Sequence, residues 1–360
     1  MELDLSRFNC SIDLQKQREL FEICFPETRK TSVATERHYF WKFHSKPGFI
    51  HSNEFSATIN KKLIGYYAAI PFYYKFKNET LTAAMVCDVM TGPEARGKGV
   101  FTKLGSYSTD QLANSGYNLS TGFPIRPEVI PGHLKVGWEK AFELPLFAKV
   151  VSSRAFLTNR GLGFFSFFFD FLLRSAERLC GRAIAYQNDH LTTNIYNFNG
   201  LEEIPDLYEF YKNWEKSIPI ALIKDSAFLK WRLGGPEKSY CILTLRKNKK
   251  LIGVLIASQT IKKGIPCMGI LDLTMLEEYS DMAPVLLKEL AVFCRKLKID
   301  LILMMMSKYW SKKYKIKKSL FFRTPFAFYF IVKLFQVNGH EQEVKEESNW
   351  HVMWIDSDDL

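Results

Sequence analysis

The stretch Thr82-Ala83-Ala84-Met85-Val86-Cys87-Asp88-Val89-Met90-Thr91, followed by Gly92-Pro93-Glu94-Ala95-Arg96-Gly97-Lys98-Gly99, decides how this chain is read. Its first part is rich in Val, Met and Ala and reads as a strand. Its second part is a glycine-rich turn. Val100–Asn114 then reads as a helix, with Phe101, Leu104 and Leu112 among its apolar positions and Gly116 ending it. Strand, glycine turn and helix together make a phosphate cradle. Free N–H groups at a helix start point outward, and the helix dipole favours negative charge. Glycine lets the main chain approach closely, and Arg96 and Lys98 add positive charge. The pattern is neither GxxxxGK[ST] nor GxGxxG, since position 102 is Thr. Taken alone, the turn also reads as a tight turn carrying solvated charges.

Before this stretch, Leu14–Cys24 has near-helical apolar spacing, broken by Pro26, and the aromatic stretch Arg37–Phe43 ends at Pro47. Phe55–Asn60 and Leu63–Phe76 read as strands around Asn60-Lys61-Lys62. After it, Tyr117–Thr121 reads as a short strand, and Gly122–Gly132 as a loop with Pro124, Pro127 and Pro131. Residues 152–200 read as a connector with a Phe-rich helix. Beyond it, Leu207–Trp214 and Pro284–Leu297 read as helices. Tyr240–Arg246, Leu251–Gln259, Ile265–Met275, Leu301–Met306 and Trp350–Ile355 read as strands.

The halves echo each other in order and near-constant spacing. His38–Phe43 resembles Ala227–Arg232 around a tryptophan, Lys61–Gly65 recurs as Lys249–Gly253, and Asp88–Thr91 is echoed by Asp272–Met275. After Met275, however, comes Leu276-Glu277-Glu278-Tyr279-Ser280-Asp281, without glycine. An anion site on the glycine turn therefore belongs to the first half only. The matched Trp41 and Trp231 read as core residues.

Composition bounds the partners. The 360 residues suit two domains, and 47% apolar with 24% charged residues excludes a wholly disordered chain. Lys+Arg 49 against Asp+Glu 38 leaves a net charge of +11, which favours an anionic partner. Seven scattered cysteines lack metal spacing, so no metal is expected and reduced thiols fit best. No signal peptide is visible, and the expected location is cytoplasmic. Phe is abundant, with 30 copies in the chain, several of them clustered in Gly163–Leu173, a run too short to span a bilayer. With Arg174, Arg178 and Arg182 it reads as packing between domains or as a peripheral membrane contact through 163–182, at the inner face of the membrane. The basic run Lys312–Lys318 reads as a solvated face or a site for lipid phosphates or an anionic sugar.

Pro93-Glu94-Ala95-Arg96-Gly97-Lys98-Gly99-Val100-Phe101 resembles motif A of the GNAT acetyltransferase superfamily, Arg/Gln-x-x-Gly-x-Gly/Ala. Arg96 and Gly99 match; Phe101 departs from Gly or Ala. The resemblance implies an α/β fold of two tandem GNAT-like domains, each a mixed, mostly antiparallel sheet flanked by helices, the second lacking motif A. It is nearest to tandem bacterial members, some linked to surface-polysaccharide biosynthesis. The division expected is 1–151 with the acyl-CoA site, a connector 152–200, and 201–360, which helps form the acceptor site. The resemblance further implies acetyl-CoA or another acyl-CoA as co-substrate. Its pantetheine arm would pair with Val89, Met90 and Thr91, and its pyrophosphate would lie on Arg96, Gly97, Lys98, Gly99, Val100, Phe101 and Thr102.

Acyl transfer to an amine needs a base and a donor for the thioester oxygen. Asp88, a carboxylate in an apolar strand, is the first candidate base; its structural reading is strengthened by Asp272 at the echoed position. His133, in a loop after Pro131-Gly132, is the second. Tyr107 is a candidate acid, Tyr117 another, and Cys87 a weaker nucleophile candidate. The donor would be the N–H of Met90 or Thr91. The expected reaction is N-acyl transfer, most simply N-acetyl transfer, to a small-molecule or glycan amine, with an amino sugar favoured. The rivals are a non-catalytic acyl-CoA-binding or interaction module and an aminoacyl-tRNA-dependent transferase. No nucleic-acid motif is present.

Overall fold

The computed structural model describes residues 2–29, 31–47, 53–124, 126–158, 166–185, 190–236, 239–337 and 339–358. Gly163–Phe165 and the side chains of Arg178 and Arg182 lie outside the described residues. The strands are β1 (Asp4–Arg7), β2 (Asn53–Ile59), β3 (Lys62–Phe76), β4 (Glu79–Thr91), β5 (Leu119–Gly122), β6 (Glu139–Val150), β7 (Leu191–Asn197), β8 (Ile220–Leu222), β9 (Tyr240–Lys247), β10 (Lys250–Lys262), β11 (Ile265–Met275), β12 (Leu301–Met305) and β13 (Phe322–Leu334). The α-helices are α1 (Cys10–Cys24), α2 (Glu36–His44), α3 (Val100–Asn114), α4 (Ile130–Lys135), α5 (Arg154–Thr158), α6 (Ser166–Ala185), α7 (Leu207–Glu215), α8 (Ser226–Leu233), α9 (Ala283–Lys296), α10 (Lys308–Lys313) and α11 (Glu341–Lys345).

The chain divides into two compact units that do not follow it in two blocks. One comprises Met1–Phe142, Ile220–Glu237 and Tyr329–Asn349; the other Glu143–Pro219, Lys238–Phe328 and Trp350–Leu360. This differs from the linear division at 151 and 200. The reason is that β8 and α8 join the first unit, and that β6 and β13 each pass from one unit into the other.

In the first unit β1, β2, β3 and β4 are successively antiparallel, β5 is parallel to β4, and residues 331–334 of β13 run antiparallel to β5. β8 pairs with the far end of β3. The second unit has the corresponding order β7, β9, β10, β11, parallel β12, then antiparallel β6. The echoed segments fold alike. Asn60 and Lys61 have φ of 50° and 64°, Asn248 and Lys249 of 49° and 70°, the left-handed pair that a two-residue hairpin requires. Gly92 N–H donates to Ile64 O at 2.8 Å, and Leu276 N–H to Ile252 O at 2.9 Å. Trp350–Ile355 is not a strand: it leads into a 3-10 turn at Trp354–Asp356. The supposed connector contains β7, whose strand pairing its polar composition concealed.

In the first unit, one sheet face carries Phe55, Tyr67, Ala69 and Ala84 against Leu104 and Leu112 of α3. The alternate residue Tyr66 faces the other way, with its ring against Phe8 and Phe43. Helices α2 and α8 begin with equivalent caps, Thr35 accepting from His38 N–H at 3.2 Å and Asp225 from Phe228 N–H at 2.7 Å. Their tryptophans exchange hydrogen bonds: Trp41 Nε1 donates to Trp231 O at 2.8 Å and Trp231 Nε1 to Trp41 O at 2.9 Å. The rings stack with centroids 5.6 Å apart. Among the described residues no helix is long and apolar enough to cross a membrane.

Each tryptophan supplies both a stacking surface and half of the hydrogen-bond exchange, so either substitution removes most of the coupling. Trp231→Ala should cost about 3–5 kcal/mol. Trp41→Ala with Trp231→Ala should cost about 1 kcal/mol or more below the sum of the singles. Urea unfolding of the three variants checks both; additive losses would mean the rings are not coupled.

Candidate active site

β4 is paired on both sides only along part of its length. Ala83–Val86 lie beside Leu119–Gly122 of β5, which ends there, while β4 continues to Thr91. Beyond Val86 the strand keeps β3 on one side and presents the opposite edge of Cys87–Thr91 without β5. Backbone donors and acceptors on such an edge pair readily with an extended ligand.

A bulge in the pairing with β3 falls along this same stretch. Tyr66 pairs with Met90 and Ala68 with Cys87, so Asp88 and Val89 together oppose Tyr67. Asp88 has φ of 48°, a left-handed conformation that Asp tolerates better than most residues. Its carboxylate accepts from Lys42 Nζ of α2 at 2.8 Å, and both side chains are largely buried. On the same helix Tyr39 donates to Glu54 at 2.5 Å, as does Tyr66 from β3. His44 Nε2 lies 3.3 Å from the other oxygen of Glu54. Burial and the Glu54 charge push both tyrosine hydroxyls far above their ordinary pKa, so they remain protonated donors. Sequence reading missed Lys42, Glu54, Tyr39, Tyr66 and His44. Each is ordinary in its own segment, and only the packing of α2 on the sheet gathers them.

After β4 the chain turns through a 3-10 segment at Pro93–Ala95. Gly97 and Gly99 have φ of 73° and 75°. A Cβ on Gly97 would meet nothing within 4 Å, and one on Gly99 only Thr102 Oγ1 at 3.9 Å. The glycines thus serve the backbone conformation and leave a clear surface. Gly99 is the N-cap of α3 and offers no side-chain cap, and the first turn has no acidic residue. The N–H groups of Val100, Phe101 and Thr102 have no partner within the helix, whose positive dipole end is therefore exposed to a ligand. Arg96 is braced by its Nε donating to Thr91 O at 3.3 Å, and Lys98 is exposed. Lys62 pairs with Glu94 at 2.6 Å and holds the Glu94 carboxyl below the usual range. The turn therefore fits an anionic diphosphate. The equivalent turn of the second unit does not: Glu277, Glu278 and Asp281 lie there, with Lys313, Lys250 and Lys315 as their partners.

The departure at position 101 has a physical cause. The Phe101 ring lies edge-on to His133, 5.1 Å between centroids, and a Cβ on Gly132 would come within 2.6 Å of it. The side chain leans onto α4, and the helix start keeps its N–H groups. The same contact removes His133 from the role expected of it. The imidazole is buried between Phe101 and Trp138. Burial lowers its pKa to about 4, so it is not a base poised near neutrality. Tyr107 is not at the open edge either: its ring packs against Phe55, 6.0 Å between centroids, at the α3 face of the core. Tyr117 is buried with its hydroxyl bonded to Asn53, and its pKa is raised to about 12. Of Asp88, Tyr107 and His133, only Asp88 lies on the open edge. Among the described residues no cluster of three or more His, Cys, Asp or Glu side chains is placed to hold a metal.

A His whose folded pKa lies below its unfolded value near 6.5 destabilises the fold as pH falls through that window. His133 should cost about 3 kcal/mol by pH 4, with no such loss above pH 7. Urea unfolding at pH 7 and pH 4.5 checks this. His133→Gln should flatten the difference, and an unchanged pH dependence would contradict the burial.

Residues 10–141 match the model of the acetyltransferase (GNAT) domain. Among solved structures, a GCN5-related N-acetyltransferase from Anabaena variabilis has a TM-score of 0.63 at 14% identity, covering 93% of this chain and 74% of that one. A conserved protein from Enterococcus faecalis, described as a probable N-acyltransferase, has a TM-score of 0.61 at 16% identity, covering 94% and 74%. Saccharomyces cerevisiae N-myristoyltransferase with bound myristoyl-CoA has a TM-score of 0.62 at 10% identity, covering 92% and 80%. A search of the curated proteins found no match. The open β4 edge, the glycine turn and the uncapped α3 start all fall within residues 10–141, the stretch that matches the GNAT acetyltransferase model.

Proposed function

We propose that this chain is an acyl-CoA-dependent N-acyltransferase, in its simplest form an N-acetyltransferase, acting by direct transfer in a ternary complex. The observation that carries the reading is continuity: the open edge of β4 runs through the turn into an uncapped helix start. Val89, Met90 and Thr91 would pair with the pantetheine arm. Arg96, Lys98 and the N–H groups of Gly97 and Gly99–Thr102 would hold the pyrophosphate.

Asp88 is the proposed base. It takes a proton from the acceptor ammonium, directly or through water, and Lys42 fixes the position of the carboxylate. The neutral amine forms the new N–C bond as the thioester C–S bond breaks. An N–H of the Met90–Thr91 edge donates to the carbonyl oxygen as it gains charge. The proton released by the amine returns to the leaving thiolate through solvent. No tyrosine or histidine is assigned a proton-transfer role, because Tyr107 and His133 are packed away from this edge.

We read the second unit as a GNAT-like domain without a phosphate turn. Its strand order is the same, and acidic residues stand where the glycines would be. For the acceptor we favour an amino sugar of a surface glycan, on the subgroup resemblance of the sequence. The yeast neighbour's myristoyl-CoA makes a longer acyl chain the second donor to assay.

Calorimetry with acetyl-CoA and myristoyl-CoA tests the cofactor site. Gly99→Trp fills the open side of the cradle and should abolish binding, at a backbone cost of about 1–2 kcal/mol. Unchanged affinity in a folded variant would displace the pyrophosphate from this turn. Asp88→Asn should lower turnover about a hundredfold at unchanged acyl-CoA affinity. Turnover within twofold of wild type would assign Asp88 to its ion pair alone.

A further inference from the structure

We propose that α6 docks onto the surface of an anionic lipid bilayer. The helix is amphipathic in the inverted sense. At about 100° per residue, Ser166, Asp170, Leu173 and Glu177 share roughly 60° of arc. This stripe is held against the second unit. Asp170 accepts from Ser152 Oγ at 3.0 Å, Ser153 N–H at 2.6 Å and Ser153 Oγ at 2.9 Å. Glu177 pairs with Lys149 at 2.7 Å and with Arg295.

The opposite arc is apolar and faces solvent. Phe167 is 83% exposed, Phe168 58%, Phe171 57% and Leu172 47%. With Phe169 they present on the order of 500 Å² of exposed apolar side chain, near the upper end for a single patch on a soluble protein.

Charge selects the occupant. Both carboxylates between residues 166 and 177 are turned inward, so neither faces a bilayer on the Phe side. Arg174, at the edge of the apolar arc, is exposed. The turn Ile316–Ser319 packs against α6, tied through Lys149, whose Nζ bonds Ser319 O at 2.9 Å as well as Glu177. That turn exposes Lys317 and Lys318. A phenylalanine face with Arg174 at its edge, next to a turn that exposes Lys317 and Lys318, on a chain of net charge +11, suits the interface of a bilayer bearing phosphate headgroups. The apolar rings would enter the acyl boundary while the cations meet phosphate. This assignment does not depend on the acyl-transfer reading.

Flotation of the full chain with vesicles tests it. Binding to vesicles of mixed phosphatidylglycerol and phosphatidylcholine should exceed binding to phosphatidylcholine alone, and should weaken as salt is raised. Phe167→Ser with Phe171→Ser should lower the partition about tenfold or more, with an unchanged circular dichroism spectrum. Lys317→Glu with Lys318→Glu should remove the preference for the anionic lipid. Absence of flotation by the wild type overturns the proposal, as does equal flotation by the Phe variant. Sedimentation without vesicles is the second arm. A dimer abolished by the two Phe substitutions, in a protein that does not float, would give this face to a second copy of the chain instead.

Discussion

The site depends on one constraint: β4 must be paired on both sides at Ala83–Val86 and lack a second strand beyond them. Where β5 flanks it, Ala83–Val86 are anchored on both sides in the core. Where β5 stops at Gly122, β3 continues to pair the strand on one side, and the other side has no strand partner. The bulge at Asp88 and Val89 falls in this half-paired stretch, where a distortion disrupts only one ladder. A ligand able to add one strand's worth of backbone pairing completes the edge. The glycine turn after β4 places the exposed Arg96 and Lys98 beside the end of this edge.

That opening is stable because its surroundings are rigid. Gly65 lets α3 approach the sheet: a Cβ there would come within 3.2–3.3 Å of Ala57, Leu104 and Val100. The start of α3 is thereby fixed beside the end of β4. On the other face, α2 is fastened through Lys42 to Asp88, through Tyr39 to Glu54, and through Trp41 to α8. A carboxylate at the bulge is then held by a helix that is itself clamped.

The two units share a strand order and differ in the turn that follows the central strand. Both have a hairpin with the same left-handed turn residues, a parallel fifth strand and an aspartate three positions before the end of the central strand. In the second unit that aspartate, Asp272, accepts from Tyr211 at 3.2 Å and from Thr274 at 2.9 Å. In the first, Asp88 meets a lysine at an open edge. The turns after the two strands carry the difference: glycines with exposed amides in one, three carboxylates with lysine partners in the other.

Local chemistry was enough for the glycine turn, the strand before it, the helix after it and the repeated hairpins. Their cues are short-range: backbone positions that demand glycine or asparagine, and apolar periodicity matched to a strand or a helix. Position 88 also stood out, because a carboxylate in an apolar strand must find a partner. Contacts distant in sequence could not be read in this way. The burial of His133 depends on Phe101 and Trp138, the exchange of Trp41 with Trp231 joins two halves of the chain, and Glu54 becomes a shared acceptor only when Tyr39 and Tyr66 are brought to it. α6 obeys the same rule. Its phenylalanines read equally as packing between domains or as a membrane contact, and only the tertiary bonds of Asp170 and Glu177 show its polar stripe turned inward. Sequence determined which segments have a period and which turns need glycine, because those are properties of neighbouring residues. Tertiary structure decided which side chains are desolvated, paired or left facing water, because burial is a property of the whole packed unit.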